Sequence, residues 1–361
     1  MTGTSADGID AALVSFSEGI PQTRETCFLP YPDQLRDRII AVSRQTDVNL
    51  HLLHQLDSDI AVEHGHAVRK LLERASIKPG QVEAIGFHGQ TLQHRPDANP
   101  AYTLQSGNAA RLAAMTGIDV IAHFRQADMA HGGQGAPFAP ALHQALLHQR
   151  DSVTVVLNLG GIANITVLRD NSPVTGFDTG PANALMDDWI GLHMRQSYDR
   201  NGEWAASGRV VERLLSQLSS DEYFKRHWPK STGRETFNLN WLQAHINNCA
   251  PSACAEDVQA TLLELTAQTV VDAIRRAAPD CDQVYVCGGG AHNRQLLSRL
   301  QAHLGNTITL KHTNEVGVDG DYLEAVLMAW LAWRYLNDLP GNLPSVTGAA
   351  RTVICGARFP A

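Results

Sequence analysis

The 361-residue sequence is short of three things that would each assign it at once: paired cysteines, long apolar runs and basic charge. Its six cysteines form no C-x-x-C pair, and Cys249 and Cys254 lack the second pair of a zinc site, so reduced thiols are expected. No apolar run reaches the length of a membrane span, and no basic segment followed by an apolar one opens the chain, which places it in the cytoplasm as an expectation. The net charge of −8 excludes a surface built for nucleic acid or an anionic membrane. Sixteen histidines suggest metal by number, yet H-E-x-x-H is missing; His51/His54 and His64/His66 read as helix surface. Equally absent are G-x-x-x-x-G-K-[ST] and G-x-G-x-x-G, the two commonest nucleotide fingerprints.

What remains is a soluble composition, 43% hydrophobic and 18% charged, long enough for two domains. Helical periods at 33–45, 50–75, 239–247 and 255–277 alternate with short β-branched runs at 9–16, 82–87, 153–157 and 284–287. Further helices are expected at 137–148, 181–195 and 321–335. The run 153–157 breaks at Asn158-Leu159-Gly160-Gly161 and resumes at Ile162, which predicts a hairpin. The polar, aromatic-rich segment 219–236 reads as a loop, the charged and glycine-rich 123–135 as a domain boundary, and 131–137 as a flexible connector or hinge.

Glycine turns follow several of these runs. Gly3, Thr4, Ser5, Ala6, Asp7, Gly8, Ile9 and Asp10 open the chain, and hydroxyls with free amides in such a turn suit phosphate oxygens. Asn158, Gly160, Gly161 and Asn164 form a second turn; Gly288, Gly289, Gly290 and Asn293 form a third. Each alone is weak, but one per half suits a nucleotide held by two domains. In Gly176–Asn183, Asp178 is either the cap of a helix opening at Pro181 or a general base in a cleft. His88 and Thr91, following a buried strand, suit a sugar hydroxyl. Arg125 is either a carboxylate or phosphate partner or half of a surface pair with Asp128. Glu324, on an apolar helix face, needs a partner or a ligand.

Taken in order, G-T-S-x-D-G-x-D at 3–10, G-x-H-G-Q-T at 86–91, F-R-x-x-D at 124–128, G-G-Q-G-A-P at 132–137, N-L-G-G-I-A-N at 158–164, F-D-T-G-P-A-N at 177–183 and C-G-G-G-A-H-N at 287–293 resemble the anhydro-N-acetylmuramic acid kinases along essentially the whole chain. The resemblance implies an α/β fold of the sugar kinase, actin and Hsp70 superfamily: two ribonuclease H-like (actin/hexokinase-type) domains closing on a nucleotide cleft, here 1–125 and 126–339, with a tail at about 340–361 returning to the first. It implies ATP with Mg, the metal travelling with ATP near Asp7 rather than in a site made by protein alone. It further implies two phosphate loops at 3–10 and 158–164, an adenosine-side turn at 288–293, Asp178 as general base, and a sugar pocket with His88, Thr91, Arg125 and Glu324. Arg125 would hold the lactyl carboxylate. An amino sugar is the implied partner, in a homodimer that recycles peptidoglycan fragments. Relatives carry a short apolar strand ahead of the first loop, whereas this sequence begins inside the motif. The expectation is therefore an upstream extension of the reading frame or a loop that holds ATP weakly. The rival readings are a superfamily kinase for an ordinary hydroxyl and a non-catalytic ATP-binding switch.

Overall fold

The computed structural model describes residues 1–361 apart from Thr4, Ser5 and Thr46. Its strands, in chain order, are β1 (Gly8–Ser17), β2 (Ile20–Pro30), β3 (Ile85–Phe87), β4 (Gln90–Arg95), β5 (Tyr102–Ser106), β6 (Val120–Ala122), β7 (Thr154–Leu159), β8 (Ile162–Leu168), β9 (Thr175–Pro181), β10 (Gln283–Cys287), β11 (Thr309–His312) and β12 (Ala357–Phe359). The chain divides into two compact units, 1–146 with 322–361 and 147–321. Among the described residues no helix is long and apolar enough to cross a membrane.

Unit 2 is built on one five-stranded sheet in the order β11-β10-β7-β8-β9. β10 runs parallel to β7 and β11, while β8 and β9 are antiparallel additions on the other side. The central strand explains itself: Val155, Val156 and Leu157 are buried on both faces, as a β-branched run without alternation should be. Helix Ala255–Ala277 covers the sheet with fifteen buried positions, including Val258, Leu262, Leu265 and Val270. The segment expected to be a plain loop at 219–236 contributes to this core, because Tyr223 and Phe224 pack on Phe237 at ring separations of 5.6 and 5.5 Å.

Unit 1 divides its strands into the hairpin β1-β2, the trio β12-β6-β3 and the hairpin β4-β5. β2, with Pro21 and a polar stretch Gln22–Glu25, has no apolar signature and is held by its register with β1. Helix Leu50–Ala75 begins where the periodicity puts it, because Asn49 accepts hydrogen bonds from the amides of His51 and Leu52. A cavity of about 410 Å³ lies along β1 and β3. Every residue from Ile9 to Phe16 and from Gln81 to Phe87 lines it. A strand presents alternate residues to each face, so an unbroken run lining a cavity means that the cavity follows the strand edges. This is why the apolar run 82–87 yields ladder pairing only from Ile85 onward.

The unit boundaries differ from those expected at 125/126 and 339/340. Three hydrogen bonds to one carboxylate go with this difference. The buried Asp128 carboxylate accepts from the Gly135 amide, the Asn342 amide group and the Thr347 hydroxyl at 2.7–2.8 Å, tying both 126–135 and the C-terminal segment to unit 1. The supposed hinge is therefore pinned; Gln134 also donates to the Thr347 carbonyl at 2.8 Å. Helix Leu323–Leu336 belongs to the same unit, where Trp333 stacks on Phe16 at 5.3 Å. The tail itself ends in β12, antiparallel to β6.

Candidate functional site

In unit 2 the sheet register sets three polar side chains in a line. Asn158 of β7 faces Asn164 of β8, and Asn164 faces Asp178 of β9. Directly opposed residues of antiparallel strands share a face, so Asn158, Asn164 and Asp178 form one row. They are half-buried among buried neighbours. The row meets the third glycine turn, since a side chain on Gly288 would lie 2.4 Å from Asn158 Oδ1, and one on Gly290 2.7 Å from Leu159 Cβ. At φ +79° Gly288 also occupies the left-handed region that favours glycine. The β7–β8 turn and the turn after β10 thus touch at the carboxyl ends of adjacent parallel strands, the position where α/β sheets hold ligands.

The neighbouring helix Asn183–Met194 is anchored by the same turn. Its first amides are met by the carbonyls of Gly160 and Gly161 at 3.0–3.1 Å, and the Asn183 side chain donates to the Leu159 carbonyl at 2.8 Å. This corrects two expectations. Pro181 closes β9 instead of opening the helix, and Asp178 caps nothing. The cap reading of Asp178 fails because a strand, not a helix terminus, carries it.

A cavity of about 430 Å³ adjoins the turns, lined by Asn183, Asp187, Tyr198, Asn201, Gly289 and Asn293 among others. At Gly289 a side chain would meet only Asn183 Nδ2, at 4.0 Å, so the backbone there faces open space. Asn293 has one role already: its side chain accepts from the Leu296 amide as the cap of helix Arg294–Leu304. Burial pushes the Asp187 carboxyl up to about 7, with Asp188 and Asp199 adding to the shift and Arg234 opposing it. Neither Asp187 nor Tyr198 stood out in the sequence, because the first reads as an ordinary helix position.

Asp178 is held from several directions. The Thr232 amide donates to its Oδ2 at 3.0 Å, its own amide donates to the Lys230 carbonyl at 3.2 Å, and the Tyr223 hydroxyl donates to its carbonyl at 2.8 Å. Burial raises its carboxyl above the usual range; the Thr232 amide and Lys230 pull it down, and Glu235 pushes it up.

In unit 1 the opening turn is folded onto β1. Ala6 donates to the Gly3 carbonyl at 3.3 Å and has φ +49°, and the Asp7 carbonyl accepts from Tyr31 at 3.1 Å. Gly8 pairs with Pro30, and a side chain on it would strike the Phe28 ring at 2.5 Å. Ile9 is core, and Asp10 exchanges backbone hydrogen bonds with Met1. Thr4 and Ser5 lie outside the described residues. Gln90, which the sequence groups with His88 and Thr91 in a turn suited to sugar hydroxyls, instead joins the opening turn to β4: it accepts from the Thr2 hydroxyl at 2.8 Å and donates to the Gly3 carbonyl at 3.0 Å.

His88 and Arg125 are brought together. Arg125 donates to His88 Nε2 from Nε at 3.1 Å and to the Gly135 carbonyl from Nη1 at 2.7 Å. His88 Nδ1 lies 2.8 Å from the Gly89 carbonyl, which assigns the proton to Nδ1 and leaves Nε2 as the acceptor. Burial, with Arg125 in support, lowers His88 to about 3, so the imidazole is neutral. The surface pair Arg125–Asp128 is not formed, because Asp128 is fully buried on other partners. Thr91 lies on β4, its hydroxyl accepting from Gln105 at 3.3 Å. Glu324 departs from expectation too. It is the exposed position in the first turn of its helix, while Leu323, Val326 and Leu327 are buried. Although its surface is open to solvent, the protein packed around it partly desolvates its carboxyl and raises it, opposed by the chain's amino group and Arg125. Among the described residues no group of three or more His, Cys, Asp or Glu side chains is placed to hold a metal.

Comparison with known proteins follows the same lines. The family model described as anhydro-N-acetylmuramic acid kinase matches residues 1–361. The anhydro-N-acetylmuramic acid kinase of Pasteurella multocida is 46% identical over 361 residues, covering 100% of this chain and 95% of its own. That of Aliivibrio fischeri is 45% identical over 362 residues, covering 100% and 98%. Among solved structures, component A of the Acidaminococcus fermentans (R)-2-hydroxyglutaryl-CoA dehydratase is similar at 12% identity and a TM-score of 0.40, covering 88% of this chain and 98% of its own. A family match along its full length, with relatives above 40% identity, means that the chain belongs to the anhydro-N-acetylmuramic acid kinase family.

Proposed function

We propose that this protein is an ATP-dependent kinase that opens 1,6-anhydro-N-acetylmuramic acid with water and phosphorylates its O6. The products are N-acetylmuramic acid 6-phosphate and ADP, formed in the recycling of cell-wall peptidoglycan. Family membership supports the substrate. The observation that carries the mechanism is the row Asn158–Asn164–Asp178, which starts beside the Gly288 turn and ends on a held carboxylate.

Asp178 takes a proton from the water that attacks the anomeric carbon, and the C1–O6 bond breaks as O6 receives the γ-phosphoryl group. ATP supplies that group. The open backbone at Gly289 and the cavity bordered by Asp187 and Tyr198 fit a nucleoside, and the Gly160-Gly161 turn lies between them and Asp178 on the sheet. Gly3–Asp10 would supply the first phosphate loop, and Asp7 is the carboxylate that would face a magnesium ion carried by the phosphates and screening their charge. His88, Thr91, Arg125 and Glu324 recognise the sugar. Arg125, a half-buried cation already aligned by His88 and Gly135, suits the lactyl carboxylate. The homodimer inferred from resemblance belongs to this proposal, with sedimentation velocity as its measure.

The test is mass spectrometry of products made in ¹⁸O-water from the anhydro sugar and ATP-Mg. One ¹⁸O at C1 of the phosphorylated sugar is expected, with none in its phosphate. Transfer without incorporation would identify a kinase for an ordinary hydroxyl. In the same assay Asp178→Asn should lower kcat about 10³-fold, in the range of a lost general base.

A further inference from the structure

Asp178 sits in the middle of β9, and what holds its side chain is a segment without regular structure. Residues 226–236 cross over β9, with Trp228 stacked on Phe177 at 5.0 Å and a 4° interplanar angle. Two backbone bonds clamp the aspartate: its amide to the Lys230 carbonyl, and its Oδ2 to the Thr232 amide. Lys230 is itself fixed. Its ammonium donates to the Tyr223 carbonyl at 3.1 Å and lies 4.5 Å from the Tyr223 ring centroid and 5.8 Å from that of Phe177. Tyr223 then returns its hydroxyl to the Asp178 carbonyl at 2.8 Å. A half-buried lysine with its ammonium over two rings and on a carbonyl is confined, unlike a solvated surface lysine.

We propose that 226–236 is a positioning strap for the general base, in which the Thr232 amide fixes Oδ2, leaving Oδ1 for the proton, and Lys230, confined by Tyr223 and Phe177, holds a positive charge within the strap. The proposal rests on the reading of Asp178 as the base. The charged and titratable groups facing Asp178 are Lys230 and Glu235 from the strap and Tyr223 from the short helix Glu222–Lys225. Burial and Glu235 favour the neutral acid, which is useless as a base; Lys230 and the Thr232 amide work against them. Lys230 is lowered to about 8, chiefly by burial, so it is charged throughout the range in which Asp178 titrates. Removing it must therefore act on the acid side of the activity profile and not on the alkaline side. Thr232 acts through its backbone, so its side chain is dispensable.

The experiment is the pH profile of kcat for wild type, Lys230→Met, Lys230→Arg, Thr232→Ala and Asp178→Asn, with ADP binding by calorimetry as a check on folding. Lys230→Met should move the acid limb of the profile to higher pH. Its loss relative to wild type should then grow as pH falls, toward about tenfold for a shift of one unit, while the rate at pH 8 stays within about twofold. Lys230→Arg should restore the limb, Thr232→Ala should match wild type, and ADP affinity should be unchanged in all. A Lys230→Met enzyme with an unmoved limb, or with the same loss at every pH, overturns the strap while an inactive Asp178→Asn leaves the base in place. An Asp178→Asn enzyme near wild-type rate removes the base and the strap together.

Discussion

The two units use the same pieces to different completeness. In unit 2 a parallel pair, β10 and β11, and an antiparallel pair, β8 and β9, are joined by β7, which bonds to both. In unit 1 the parallel pair β3 and β6 and the antiparallel pair β1 and β2 are present in the same roles. Between them lies the 410 Å³ cavity, and helix Leu323–Leu336 packs on both β1 and β3 without supplying backbone partners. The difference shows where rigidity is invested. Asp178 and its row ride on a sheet bonded across all five strands, whereas the Gly3–Asp10 turn depends on one hairpin, on Gln90 and on side-chain packing. A group that must hold a carboxylate within a fraction of an ångström belongs on the first kind of support.

Acid should separate the units most strongly. Burial holds His64, His88 and His143 of unit 1 at about 3, and each is less than a tenth exposed. Unfolded, these rings take a proton near pH 6.5; folded, they refuse it until about pH 3. Their neutral burial therefore stabilises unit 1 fully above pH 6.5 and progressively less as pH falls, by about 1.4 kcal/mol per histidine per pH unit. In unit 2 Asp178 and Asp187 shift the other way, Asp187 to about 7, so protonation on acidification favours the folded form there. Burial pushes Glu264 up as well, but Arg299 and His303 hold it below the usual range, a contribution lost only near pH 4 and below. Limited proteolysis at pH 5 should therefore cut within 1–146 well before 147–321. Simultaneous cleavage would show that the histidines do not set the order.

Side-chain truncation should rank the sheets next. Leu157 of β7 is fully buried at the centre of unit 2, and Leu157→Ala should cost about 2–5 kcal/mol in urea unfolding. Leu13 of β1 lines the cavity and is only half-buried, so part of its surface has no neighbour to lose. Leu13→Ala should cost about 1 kcal/mol or less. Equal costs would mean that the cavity closes around Leu13 in solution.

The same contrast explains what could be read from the sequence. Helices 50–75 and 255–277 are amphipathic and strand 162–168 is rich in β-branched residues, so local pattern and tertiary burial agree. β2 and β9 escaped because ladder pairing, not side-chain pattern, holds them: one is polar, and the other is broken by Gly176, Gly180 and Pro181. The glycine turns were legible as types of backbone, and Gly288 needs its positive φ. Their convergence with Asn164 and Asp178 was not legible, since it depends on register across three strands and a bulge between Ala163 and Asn164. Lys230 and Thr232 were hidden for a related reason. Their segment looks like solvated loop, and only Tyr223 and Phe177 beneath it make it part of the site.

The finest test of the comparison is amide exchange along β1 and β8. β8 lies between β7 and β9, so its amides are bonded on alternate sides and protected throughout, apart from the bulge at Ala163/Asn164. Beyond Asp10, whose amide is met by the Met1 carbonyl, β1 is bonded among the described residues to β2, and its other edge faces the cavity. Every second amide between Asp10 and Phe16 should then exchange about tenfold or more faster than its neighbours, a difference of about 1.4 kcal/mol in opening free energy. Protection in β8 should show no such alternation. A smooth profile along β1 would mean that its cavity edge is bonded in solution, and the contrast between the units would shrink to one of packing.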